Sequence, residues 1–308
     1  MLKQLRAFQV LVMLMLVGSS LQAQVADTVT AVLPAPDSSQ KAKKVHLYAK
    51  PRPFAFVTNL PKDLLETAKS PFRKNGWKAV LGVAASSAIL IHYDQPLLDG
   101  AMQMGRNIHW QPQTDYKVVL SIKRTEGDIK LFKVPKNINS AFYTLGEGWI
   151  GVAVGGGFWL QGKISGNYRS LQTASDLMEG FISSAVVTQV FKRMTGRESP
   201  FMRSQPGGKW TPFPSFSAYQ NNTSNYDAFP SGHLATMMTT VTVLAENYPE
   251  NKWIKPIGYT LIGLTSFAMM NTEVHWAGDY PLALAIGYLH GKIITGRHKK
   301  ANRQPVVL

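Results

Sequence analysis

The 308-residue chain contains no cysteine. That excludes disulfide bridges, thiolate nucleophiles and cysteine-ligated metals, so any chemistry must come from His, Asp, Ser, Lys and Arg. Acidic residues are scarce: 18 Asp and Glu stand against 33 Lys and Arg, a formal net charge of +15. Basic side chains cluster at Lys41, Lys43, Lys44, Lys50 and Arg52 and again at Arg297, Lys299, Lys300 and Arg303. Such runs are the ordinary dress of a solvated surface, and they also favour anionic lipid headgroups or phosphorylated ligands. Nucleic acid is not expected, because no reading motif accompanies the charge. Also missing, beyond the N-terminus, are apolar runs of the eighteen or so residues that argue a membrane-spanning helix. No internal repeat is present.

The first residues, MLKQLRAFQVLVMLMLVGSSLQAQ, carry a charged start (Lys3, Arg6), an apolar stretch and small residues before Ala23. This is the pattern of a secretory signal peptide over residues 1–23, and it predicts export to the periplasm or cell envelope. Residues 24–75 are polar, basic and proline-bearing without a sustained period, and read as an extended or loosely packed arm. Apolar helical segments are predicted at 79–91, 149–160, 177–191, 234–245, 257–270 and 281–294. Together they predict an all-α bundle over residues 76–296, soluble or membrane-associated, followed by a basic tail at 297–308.

Three stretches carry candidate chemistry. Residues 227–240, DAFPSGHLATMMTT, set Ser231, Gly232 and His233 at the start of a helix whose apolar face repeats through Leu234, Met237, Met238, Val241 and Leu244. A serine and a glycine there are ordinary caps, and a helix N-terminus with free N–H groups is also a site for phosphate oxygens. NTEVHWAGD closes the 257–270 segment and sets His275 and Asp279 four residues apart, on one face if helical. FKRMTGRESP closes the 177–191 segment with Lys192, Arg193 and Arg197 before Pro200. In an up-and-down bundle these three ends lie on one side, so Lys192, Ser231, Gly232, His233, His275 and Asp279 converge at one rim.

That convergence suits phosphoryl transfer. An imidazole whose other nitrogen faces a carboxylate is a competent nucleophile, because the carboxylate fixes the tautomer and stabilises the cation that forms. His275 with Asp279 is that pair. His233 is placed to protonate the leaving oxygen, while Lys192, Ser231 and Gly232 offer charge and N–H donors to phosphate. A His233/His275/Asp279 metal site matches no familiar zinc spacing, and none is expected.

The ordered set Lys192, Pro200, Pro230-Ser231-Gly232-His233, His275 and Asp279 resembles the type 2 phosphatidic acid phosphatase superfamily, which includes vanadium haloperoxidases and bacterial acid phosphatases. The resemblance covers residues 177–294. It implies a helical fold and a phosphohistidine intermediate with no metal or other cofactor. The chain departs from the family pattern where two arginines are expected: Ser199 stands at the first position, and Ala268-Met269 replaces a Ser-Arg pair. Arg197 is a candidate replacement for the lost phosphate contacts, with Arg193, Arg203 and Lys209 as others from the same loop. The expected function is hydrolysis of lipid or isoprenoid phosphomonoesters or pyrophosphates, or of small phosphoesters, at or near an anionic membrane surface. The competing expectation is a catalytically degenerate member that binds a phosphorylated or lipid ligand or an envelope partner. A vanadate-dependent peroxidase ranks below both, because anchoring vanadate needs the same arginines.

Overall fold

The computed structural model describes residues 48–123 and 128–301. The expected signal peptide, most of the arm and the last residues of the tail lie outside the described residues. The described residues open with α1 (Ala55–Thr58) and α2 (Leu60–Lys69), then α3 (Gly76–His92) and α4 (Asp94–Asn107). An antiparallel hairpin of β1 (Tyr116–Ile122) and β2 (Ile129–Pro135) follows. The rest is helical: α5 (Ile138–Leu145), α6 (Gly148–Ser165), α7 (Tyr168–Thr195), α8 (Phe216–Asn221), α9 (Gly232–Asn247), α10 (Ile254–Asn271) and α11 (Tyr280–Ala301).

The fold is all-α apart from that hairpin. All six apolar segments form helices, as α3, α6, α7, α9, α10 and α11. Each helix outruns its apolar stretch because polar residues complete the terminal turns. The Asn167 side chain accepts from Ser170 N at the start of α7, and Ser231 does the same for Leu234 N at the start of α9. Such caps are worth about 1 kcal/mol each.

The α7 helix runs through the middle of the bundle, against α6, α9 and α11. Its buried positions include Ser170, Thr173, Ser183, Ser184 and Thr188, small residues that let neighbouring helices approach. Where Thr173 turns its hydroxyl back onto the Arg169 carbonyl at 2.9 Å, the polar atom is satisfied inside the helix itself. The main apolar core lies beside it, where Leu234, Met237 and Val241 of α9 meet Ile262 and Met269 of α10 and Ala283 and Ile286 of α11. Each large aliphatic side chain buried there stabilises the fold by about 1.5–3 kcal/mol.

Two boundaries differ from expectation. Residues 55–69, expected as part of an extended arm, form α1 and α2 and pack on α7 and α11. Their attachment is polar: Asp63 is wholly buried against Arg297, and Asn59 Nδ2 donates to Glu179 Oε2 at 3.0 Å. Arg297, assigned to the basic tail, therefore belongs to the bundle, inside α11. Ion pairs that span so much of the chain leave no local pattern to read in a sequence.

Candidate active site

The site starts from the N-terminus of α9. Ser231 is extended (φ −67°, ψ 114°), as a capping residue must be, and its backbone N–H donates to the Asp279 carbonyl at 3.1 Å. His233 stands in the first turn. Its imidazole comes so close to the α5–α6 junction that a Cβ at Gly146 would lie 2.7 Å from His233 Cβ, so only glycine fits there. The ring of Tyr143 covers its other side, with centroids 4.9 Å apart.

His275 arrives from the end of α10. Glu273 takes a left-handed conformation (φ 57°), which stops the helix, and Val274 N then bonds back to the Met269 carbonyl at 2.9 Å. His275 is buried, 4 % exposed. Its Nδ1 sits 3.3 Å from Asp279 Oδ2, and the same carboxylate oxygen accepts from Trp276 N at 2.8 Å. The pair is thus formed, but not along one helical face as the spacing predicted. Asp279 ends the short 3-10 turn Ala277–Asp279 and folds its side chain back over that turn. With Nδ1 on the carboxylate, Nε2 is the nitrogen left for chemistry.

The rings of His233 and His275 meet edge to face, with centroids 5.8 Å apart. Burial lowers the His233 pKa to about 3, helped by the positive charge available on His275 and Lys192. The free site therefore holds His233 neutral.

In front of His233 lies a cavity of about 200 Å³, whose wall includes Ser184, Thr188, Gln189, Lys192, Gly232 and Thr236. Lys192 is nearly buried, and its Nζ donates to the Asp227 carbonyl at 2.5 Å while facing the Asp227 carboxylate at 3.4 Å. The Thr188 hydroxyl, one helical turn before Lys192, is buried without a hydrogen-bond partner. Thr188 carried no signal in the sequence, since a threonine inside an apolar helical stretch reads as packing.

The structure revises two of the expected phosphate contacts. The Ser231 side chain is fully buried beneath the cavity: its Oγ caps Leu234 N at 3.5 Å and donates towards Met269 Sδ at 3.9 Å. Arg197 is likewise fully buried and is not part of the cavity wall. Its Nη1 donates to Asp279 Oδ1 at 2.7 Å, and its Nη2 bonds Asp94 Oδ2 and, at 2.8 Å, the Gly207 carbonyl. Trp210 and Trp276 flank the guanidinium at 4.7 and 5.2 Å. Two carboxylates and two indole faces hold the cation more strongly than a cavity open to water would, which is why Arg197 turns inward.

The surrounding loop is folded around that side chain. Gly196, at φ 55°, turns the chain out of α7; a Cβ there would lie 1.9 Å from the Thr211 carbonyl. Thr211 N then bonds the Gly196 carbonyl at 2.9 Å, and Ala228 N bonds the Arg197 carbonyl at 3.0 Å. Asp94, at the start of α4, is fully buried; its Oδ1 accepts from Gly278 N at 2.7 Å. Burial pushes the Asp94 carboxyl upward against the opposing pull of Arg197. Asp94 also went unseen in the sequence, as it lies far in chain from every motif.

Where the family pattern has arginines, Ser199 and Met269 are both buried, Met269 completely, and so is Ala268, at the serine position before it. Among the described residues no group of three His, Asp or Glu side chains is arranged to hold a metal ion. A family model described as the PAP2 superfamily matches residues 174–303. No curated protein and no solved structure matches the chain significantly.

Proposed function

We propose, for a chain whose residues 174–303 match the PAP2 superfamily model, that this protein hydrolyses phosphomonoesters or pyrophosphates of lipid or isoprenoid type through a phosphohistidine at His275. That match supports a phosphoester hydrolase in general. The observation that carries the finer reading is the His275–Asp279 pair set 5.8 Å, ring to ring, from a second histidine that borders a cavity with a lysine in its wall.

In this reading the phosphoryl group enters the cavity beside Lys192, the first-turn N–H groups of α9 and the unpaired Thr188 hydroxyl. His275 Nε2 attacks phosphorus and forms the P–N bond as the P–O bond to the leaving group breaks. Asp279 stabilises the imidazolium that results. His233 gives the departing oxygen its proton. Because the free site keeps His233 neutral, that proton arrives with the substrate: a phosphate monoanion delivers it, or a dianion raises the basicity of the ring. Water then attacks the phosphohistidine, returns a proton to His233 and releases phosphate.

The phosphate contacts are thin. Each charge-assisted bond lost with a missing guanidinium is worth about 1.5–3 kcal/mol, so turnover of simple phosphoesters is expected to be slow. Buried Met269 and Ser199 also favour a second reading, a member that binds a phosphorylated ligand without efficient turnover.

A lipid surface is the expected partner. α3 presents Trp77, Val80, Leu81 and Ile89 outward, and α6 presents Val152, Trp159 and Leu160. Lys78 lies over Trp77 and Lys163 over Trp159, each 5.8 Å from the ring centroid, a pairing suited to the headgroup layer. Among the described residues no helix is long and apolar enough to cross a membrane. The leader-like N-terminus supports export to the periplasm or cell envelope.

The test is phosphate release by the purified chain from phosphatidate, an isoprenoid pyrophosphate and soluble phosphoesters. Turnover that resists EDTA and is blocked by vanadate supports the enzyme reading. Binding without release on every substrate supports the degenerate one. His233→Ala should spare substrates with good leaving groups more than poor ones, since it removes only a proton donor.

A further inference from the structure

The mechanism above uses one face of Asp279. The other face is occupied by Arg197, and Arg197 is in turn held by Asp94. The result is a continuous chain, His275–Asp279–Arg197–Asp94, whose inner three members are all fully buried. Two segments far apart in sequence close it: Asp94 comes from α4, outside the matched family region, and Arg197 from the loop after α7. The 3-10 turn that carries Asp279 is gripped at the same place, because Asp94 Oδ1 accepts from Gly278 N at 2.7 Å while its Oδ2 bonds Arg197.

We infer that Arg197 and Asp94 are positioning residues for the nucleophile: they fix the Asp279 carboxylate against His275 Nδ1 and set how strongly that carboxylate favours a protonated ring. The inference rests on His275 as nucleophile, but its physical content does not require turnover. Asp279 Oδ1 is engaged by a guanidinium, so Oδ2 is the oxygen presented to His275 and Trp276 N. Without the guanidinium the carboxylate can rotate, and its full charge falls on His275. Without Asp94 the guanidinium draws more of the Asp279 charge to itself.

The two removals therefore act on His275 in opposite senses. The other titratable groups around the pair are His233 on the cavity side of His275, Lys192 with Asp227 beyond it, and Tyr280 next to Asp279. None of them is altered by either substitution. Removing the Asp94 charge makes the surroundings more positive and disfavours imidazolium; removing the Arg197 charge favours it.

The test is NMR titration of the His275 ring in the full chain, in wild type, Asp94→Asn and Arg197→Gln, with thermal melts to establish folding. Asp94→Asn should weaken proton binding at His275 by about threefold or more, and Arg197→Gln should strengthen it by a similar factor. Asp94→Asn is isosteric and keeps one acceptor oxygen for Gly278 N or Arg197 Nη2, so it carries the test if Arg197→Gln does not fold. If turnover is measurable, both variants should lower kcat with little change in KM, and Arg197→Lys should rescue the titration better than Arg197→Gln.

An unchanged His275 titration in a folded Asp94→Asn variant would overturn the inference. So would a rise in KM in folded Arg197→Gln without any change in titration, which would return Arg197 to the phosphate. A titration that shifts as expected in a chain with no phosphoryl turnover would retain the positioning chain and remove the enzyme reading instead.

Discussion

Among the described residues two arginines are each set between two buried carboxylates, and the two differ in their surroundings. Arg197 joins Asp94 to Asp279, is shut in by Trp210 and Trp276, and reaches His275 through Asp279. Arg297 joins Asp63 to Glu179, has a side chain 25 % exposed, and reaches the N-terminal helix α2. In both clusters one carboxylate comes from the chain before residue 174 and the other from the family-matched region. The comparison teaches that the preceding segment is fastened to the bundle twice by the same device. At one end the ion pair is dry and faces the proposed nucleophile, and at the other it borders water.

The largest expected effect separates the two ends by function. His275→Ala should lower turnover by about four orders of magnitude, because it removes the attacking atom, whereas Arg297→Met should leave the rate of the folded protein close to wild type. Steady-state phosphate release checks both. A large loss of rate in folded Arg297→Met would break the comparison.

Stability sharpens it next. Arg197→Met leaves two buried carboxylates without their cation and should cost about 3–5 kcal/mol. At Arg297, partial exposure screens the charges, and the same substitution should cost about 1–2 kcal/mol. Urea unfolding of the two variants at neutral pH measures the difference, which vanishes if the exposure of the second cluster is irrelevant.

Much of this architecture was open to a reader of the sequence. The six apolar helices are periodic and long enough to identify, and the rim at which Lys192, His233 and His275 meet follows from helix direction alone. The other parts were hidden for physical reasons. Arg197 is a cation in a basic loop, and nothing in a sequence distinguishes one that points to phosphate from one that turns inward to two carboxylates and two tryptophans. Asp94 and Asp63 are single acids at or near helix starts, where an acid is ordinary. Their partners lie 103 and 234 residues away in chain, at Arg197 and Arg297, and no local pattern records a pairing of that span. The Asp279 side chain meets His275 across a 3-10 turn, a geometry for which the four-residue spacing was right and the helical face was wrong.

A smaller effect concerns pH. Burial raises the Glu179 pKa from 4.5 to about 7, with a further push from Asp176 and opposition from the Asn59 amide. A folded-state value above the unfolded one means that the neutral form fits the fold better. The contribution is fully present below about pH 4.5 and is lost as pH rises through about 7. Melting temperatures of wild type and Glu179→Gln between those limits should diverge, with the wild type losing stability towards neutral pH and the variant holding flatter. Parallel curves would show that Arg297 keeps Glu179 ionised throughout, and the two clusters would then be electrostatically alike.

The role proposed for His275 is that of the nucleophile that accepts the phosphoryl group, held in place by buried charge. Its most direct test is to mix the purified chain with a short-chain phosphate monoester labelled at phosphorus, quench in alkali within one turnover, and map the label by mass spectrometry. The account predicts an acid-labile, alkali-stable phosphoryl group on His275, absent from His275→Ala and retained longer in His233→Ala. Phosphate released with no label on His275, or label on any other side chain, would contradict it.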